Sequence, residues 1–303
     1  GAPLKKRVRL ILGCDEESGM EDMAYYAAHA DMPRKGFSPD ACFPVINTEK
    51  GLYHIRLRGP APREGLKIYE ISAGERPNVI PGAASAIVAG GEDTLTKAAA
   101  FSRAAGYSVS AEMLADSRVR ITALGTAGHA AMPEGTHNAI GRLLKALEHL
   151  GAGGGVACLA RTVGLEYDGA SMGIAMEDRL SGSLTLNLGI LRVNEETVEA
   201  TLDIRYPVMA DANTLLSFIS TAVAPGGLTP EVEAFKPPHH VPENSPLVQA
   251  LLWAYHEVTG LPPQALAIGG GTYARCLEEG VAFGSLFPGE AELAHQAGEY
   301  IDV

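Results

Sequence analysis

The chain is poor in cysteine and has no paired cysteine motif: Cys14, Cys42, Cys158 and Cys276 are scattered, with no Cys-x-x-Cys spacing. That excludes a disulfide framework and a thiolate zinc site, and it fits reduced thiols in a cytoplasmic protein. Positive charge is also scarce. Against 36 Asp and Glu stand 24 Lys and Arg, a formal net charge of −12, which argues against nucleic acid or an anionic membrane as partner. There is no secretory signal and no apolar run long enough to span a bilayer. No phosphate-cradling Gly-x-x-x-x-Gly-Lys loop is present. An initiating Met is missing and both ends look cut, so the chain is expected to be an internal portion of a longer protein.

What is present begins with Arg7-Val8-Arg9-Leu10-Ile11-Leu12-Gly13-Cys14-Asp15-Glu16-Glu17-Ser18-Gly19. The apolar run reads as a strand buried in an α/β sheet, ending in three successive carboxylates. Ser18 and Glu21 have capping-box spacing, which predicts a helix from about Met20 to Ala30 with Met23, Tyr26 and Ala27 inward. Acids would then stand at the carboxyl end of a strand, where open α/β sheets bind ligands. Adjacent like charges repel, and a metal ion between them is the simplest remedy. An acidic helix N-terminus complementing the macrodipole is the competing reading.

The character changes near Glu49-Lys50-Gly51 and again at Pro237-Pro238. Residues 1–50 and 239–303 read as two parts of one α/β domain, and 51–238 as a large insertion. Within the insertion, helices are expected near Asp93–Ala105, Asn138–Leu150 and Ala212–Val223, among β-rich runs. The order suggests two successive, related halves of about 90 residues. Ser245-Pro246 opens a further helix that stops at Gly260. Gly269-Gly270-Gly271-Thr272 is a loop, and His295 follows the last strand.

Taken singly, the polar candidates have ordinary explanations. Asp40 after Ser38-Pro39 suits a turn. His295 and His129 suit surface or loop positions. Arg205 either pairs with Asp203 or clamps a carboxylate in bidentate fashion. The Gly269–Gly271 turn could cradle an anion on its amides.

Together these segments resemble the di-zinc aminoacylase and carboxypeptidase-type metallopeptidases of clan MH, and most closely the peptidase V dipeptidases. The matching stretches are Gly13–Gly19, Gly36-Phe37-Ser38-Pro39-Asp40, Phe43–Asn47, Pro77-Asn78-Val79-Ile80-Pro81 and Gly128-His129-Ala130. Leu202–Pro207, Gly269–Arg275 and Phe287–Ala297 complete the set, in the family's order. The resemblance implies a three-layer α/β/α catalytic domain, here incomplete, interrupted by a two-subdomain α+β lid of ferredoxin-like halves. It implies zinc-dependent dipeptide hydrolysis, with two Zn2+ ions per complete site. By the same resemblance Glu16 is the general base and His129 steadies the oxyanion. Glu17, Asp40 and His295 are metal ligands, and Asn78, Arg205, Gly270, Gly271 and Thr272 hold the substrate. A lid with both halves on one polypeptide implies a monomer.

The family's upstream His-x-Asp motif has no counterpart here, so the chain is expected to lack part of its ligand set and to be inactive alone. An N-acyl-amino-acid deacylase of the same family, or a metal-free peptide-binding homologue, are the alternatives.

Overall fold

A computed structural model describes residues 7–17, 19–290 and 300. It divides into two compact units, one made of Gly1–Lys50 with His239–Val303, the other of Gly51–Pro238.

The first unit opens without the expected strand. Residues 7–14 form no ladder, and Val8, Leu10 and Leu12 are exposed. The apolar pattern was a fair strand signal, but a buried strand needs neighbours for its amides and carbonyls. Among the described residues no strand pairs with this run. Helix α1 (Glu21–His29) follows, burying Met23 and half-burying Tyr26, while Ala27 faces outward, contrary to expectation. Its start is tied down by Asp15, whose Oδ2 accepts the Glu21 N–H at 2.9 Å. Ser18, the expected cap, lies outside the described residues. Next come β1 (Lys35–Ser38), β2 (Ala41–Cys42) and β3 (Val45–Glu49).

The second unit contains β4 (Gly51–Pro60), β5 (Ile68–Ala73), β6 (Val79–Ile80), β7 (Ala83–Ala89), α2 (Glu92–Ala105), β8 (Val109–Met113) and β9 (Arg118–Leu124). Then follow β10 (Gly128–His129), α3 (Ala139–His149), α4 (Gly154–Thr162), β11 (Glu177–Asp178), β12 (Gly182–Ser183), β13 (Thr185–Val193), β14 (Thr197–Tyr206), α5 (Ala212–Val223) and β15 (Thr229–Lys236). One eight-stranded antiparallel sheet runs in the order β15-β4-β14-β13-β5-β7-β9-β8.

The two halves are nested rather than successive. Strands β4, β13, β14 and β15 make one half, in spatial order fourth, first, third, second. The other, β5, β7, β8 and β9, is inserted after β4. The successive reading failed because β4 pairs with strands more than a hundred residues downstream, which no local pattern encodes. Helix α3 shows why the core is continuous. Asn138 caps it by accepting from Ile140 and Gly141 N–H, and Ile140, Leu143, Leu144 and Leu147 at helical spacing are all fully buried. A single apolar cluster takes in both halves.

The first unit resumes with β16 (His239–His240), α6 (Pro246–Thr259), β17 (Ala265–Ile268), β18 (Glu279–Ala282) and β19 (Ser285–Leu286). Ser245 caps α6 and Gly260 ends it with a φ of 69°. Strand β3 is the hub of a mixed sheet, pairing with β17 in parallel and with β16 and β18 in antiparallel fashion, while β1 lies parallel to β18. Its small core is Val45, Val241, Val248, Leu252 and Val281. Phe43 extends it, packing against Tyr255, Phe283 and Phe287 with ring centroids 4.5–5.6 Å apart.

Candidate active site

Within the first unit, Glu16 and Glu17 form a turn between the irregular segment and α1, Glu16 half-buried and Glu17 exposed. The turn closes on Asp15, whose carbonyl accepts Met20 N–H at 2.8 Å and Gly19 N–H at 3.2 Å. Asp22 Oδ2 accepts the Cys14 N–H at 2.6 Å and the Asp15 N–H at 3.2 Å. Tyr273 donates its hydroxyl to that same oxygen at 2.6 Å. This hydroxyl, and then the amides around it, hold the Asp22 carboxyl below its ordinary range despite an opposing desolvation. Burial and the Asp22 carboxylate push the Tyr273 phenol up. At neutral pH the pair is therefore a carboxylate and a phenol, with the proton between them on Tyr273.

Asp40 is exposed in the bend between β1 and β2. The Gly269–Thr272 loop joins β17 to a 3-10 turn at Tyr273–Cys276. Its conformation is fixed by Glu49, which is 1% exposed at the end of β3. Glu49 Oε1 accepts the Thr272 N–H at 3.0 Å and its hydroxyl at 2.8 Å, while Oε2 pairs with Arg275 Nε at 2.7 Å. Thr272 Oγ also accepts the Ala274 N–H at 3.1 Å. The Thr272 hydroxyl proton and backbone N–H are thus both directed at Glu49, which fixes the end of the glycine loop. Glu49, Asp22 and Tyr273 escaped sequence reasoning. The only signal for Glu49 was a charge closing the apolar strand Val45–Asn47.

Within the second unit, β6 and β10 pair as a two-residue ribbon with His129 opposite Val79. This brings Asn78 close to His129, the Asn78 carbonyl accepting the Ala130 N–H at 2.9 Å. His129 Nδ1 accepts the Ala131 N–H at 3.2 Å, so the neutral ring carries its proton on Nε2. Asn187, buried on β13, donates to the Pro77 and Val79 carbonyls on either side of Asn78. Arg205 lies on β14, buried, its Nε and Nη2 both bonded to Asp203 at 2.7 and 2.8 Å. His54 Nε2 lies 2.9 Å from Oδ2 of that carboxylate, the oxygen that Arg205 Nη2 also contacts. The pairing with Asp203 is therefore realised. One motif that spells a nucleophile elbow, Gly169-Ala170-Ser171-Met172-Gly173, sits on a 3-10 turn, with Ser171 Oγ donating to Glu166 at 2.5 Å. It lacks the strand-to-helix setting of a nucleophile elbow.

Among the described residues no three His, Cys, Asp or Glu side chains form a group able to hold a metal ion. His295 lies outside the described residues. The described residues thus do not by themselves make up a zinc site. Nor, among them, is any helix long and apolar enough to cross a membrane.

The family model for peptidase family M20/M25/M40 matches residues 1–303. The chain belongs to that family. The provisionally named dipeptidase YtjP of Bacillus subtilis is 36% identical over 314 residues, covering 99% of this chain and 66% of the relative. The provisionally named dipeptidase SSP1012 of Staphylococcus saprophyticus is 33% identical over 309 residues, covering 98% and 66%. The chain thus spans 66% of the length of these relatives. Among solved structures, a tripeptidase of Staphylococcus aureus aligns at a TM-score of 0.42 and 12% identity, covering 89% of this chain and 53% of that one. The resemblance to clan MH metallopeptidases is thereby shown.

Proposed function

We propose that the protein hydrolyses dipeptides as a zinc-dependent enzyme. The reading is carried by the family match along the whole chain, joined to relatives named as dipeptidases. On it, Glu16 takes the proton of the attacking water and passes it to the departing amine. His129 presents Nε2–H to the developing oxyanion, which its tautomer suits. Asn78, Arg205, Gly270, Gly271 and Thr272 are assigned to the substrate. The assignment of Glu17, Asp40 and His295 to zinc rests on the family motifs alone.

By the same reading residues 51–238 are the inserted lid of ferredoxin-like halves, and the flanking segments belong to one three-layer catalytic domain. The protein is a cytoplasmic monomer, with both lid halves on one polypeptide.

A panel of dipeptides and N-acetyl amino acids, assayed on the full-length protein and on this chain, tests the reading. Turnover of free dipeptides, abolished by Glu16→Gln with zinc content unchanged, is the expected result. Preference for N-acetyl amino acids would instead make the protein a deacylase, and near-normal activity of Glu16→Gln would remove the assigned base.

A further inference from the structure

The backbone that carries Glu16 is held by two side chains, one nearby in sequence and one distant. Asp22 reaches back from the first turn of α1 to the Cys14 and Asp15 amides. Tyr273 arrives from 258 residues downstream, accepting the Asp15 N–H at 3.0 Å while donating to Asp22. The carboxylate only accepts, so the phenol must donate to it and receive the amide; a single arrangement of protons satisfies all three groups. Gly13 makes room for this cluster. A Cβ there would fall 2.3 Å from Tyr273 Oη and 2.6 Å from Asp22 Oδ2. Tyr273 is itself flanked by Thr272 and Arg275, both bonded to the buried Glu49. A chain of directional bonds therefore runs from β3 through the glycine loop to the residue just before Glu16.

We propose that Tyr273 is a positioning residue for the reaction: with Asp22 it fixes the backbone of Cys14 and Asp15, and thereby the aim of Glu16. This rests on the assignment of Glu16 as base. General-base catalysis demands hydrogen-bond reach to one particular proton. A turn free to shift by about 1 Å would lower turnover by up to about a hundredfold. Substrate binding, made by other groups, would change little.

The test is Tyr273→Phe in the full-length protein, which removes one oxygen and keeps the ring, with Asp22→Asn as the second variant. Both should lower kcat by about tenfold to a hundredfold, with KM within about twofold of wild type and zinc content unchanged. Amide hydrogen exchange should quicken at Cys14 and Asp15 in the 303-residue chain as well, a readout independent of activity. Wild-type kcat for Tyr273→Phe beside an inactive Glu16→Gln would overturn the inference and leave the base in place. An active Glu16→Gln would remove the base instead, and unchanged exchange at Cys14 and Asp15 would show that no clamp exists. Loss of melting temperature with kcat intact would reduce Tyr273 to a structural role and overturn the proposal.

Discussion

The unit Gly51–Pro238 and the unit built from the flanking segments keep their shapes by different kinds of contact. In the former, forty-one buried apolar residues join into one cluster beneath an eight-stranded sheet. In the latter, one cluster among the described residues joins five buried apolar residues, and strands of two to five residues surround them. Its loops are held instead by carboxylates: Glu49 under the Gly269–Thr272 turn, Asp22 under the Asp15–Glu17 turn. Apolar packing adapts to a change of shape, at a cost that grows with the cavity left behind. A hydrogen-bonded carboxylate does not adapt. It specifies one geometry, which is what a reacting group needs from its support.

Substitution at Glu49 should have the largest effect. Glu49→Ala leaves the Arg275 guanidinium, itself only 10% exposed on its side chain, without its partner, and breaking a buried pair costs about 3–5 kcal/mol. The expected signs are a lower denaturant midpoint reported by Trp253, the single tryptophan, and faster amide exchange at Thr272. A midpoint within error of wild type would mean that the loop does not depend on this carboxylate. Leu144→Ala supplies the apolar counterpart. A fully buried leucine of α3 should cost about 2–5 kcal/mol, read by circular dichroism and by faster exchange along β7 and β9. A small loss would show a core able to collapse around the gap.

The subtlest effect concerns Asp203. Burial raises its pKa, but hydrogen bonds from His54 and Arg205 outweigh that and leave it lowered. A carboxyl with a depressed folded pKa stabilises above its unfolded value of about 3.9, and that contribution is lost as pH falls through the folded pKa. Asp203→Asn should therefore be less stable than wild type at pH 7, with the gap closing in acid. Urea midpoints measured down the acid range decide it: a gap that stays constant would mean that the charge contributes nothing.

How much of this was legible depended on the range of the interactions. Helices α3, α5 and α6 were readable because period and cap lie within a few residues of each other: Asn138 or Ser245 at one end, Gly151 or Gly260 at the other. Strands β4 and β5 and helix α4 were not singled out. Val156–Ala160 is buried on every side, which erases the amphipathic signal, and the partners of β4 are distant in sequence. At Val8, Leu10 and Leu12 the pattern was present without the neighbours that make a strand. For the site, the Asp-Glu-Glu motif and the glycine loop stood out as local signatures. The side chains that brace them did not: Tyr273 and Glu49 each matter through a residue more than 200 positions away, and Asp22, close to Cys14 in sequence, looks like any acid in a first helical turn.

Nesting one half-sheet inside another also orders events during synthesis. The inner half, from Ile68 through Leu124 with α3 close behind, is contiguous and can close its pairings as soon as it leaves the ribosome. Strand β4, made earlier, must wait until Thr197–Tyr206 and Thr229–Lys236 emerge before either of its edges is covered. The loop that must then close is long, and its entropy slows that step. Nascent chains halted between His149 and Thr197 therefore carry the paired and helix-covered strands of the inner half beside a ten-residue strand whose backbone still lacks both ladders.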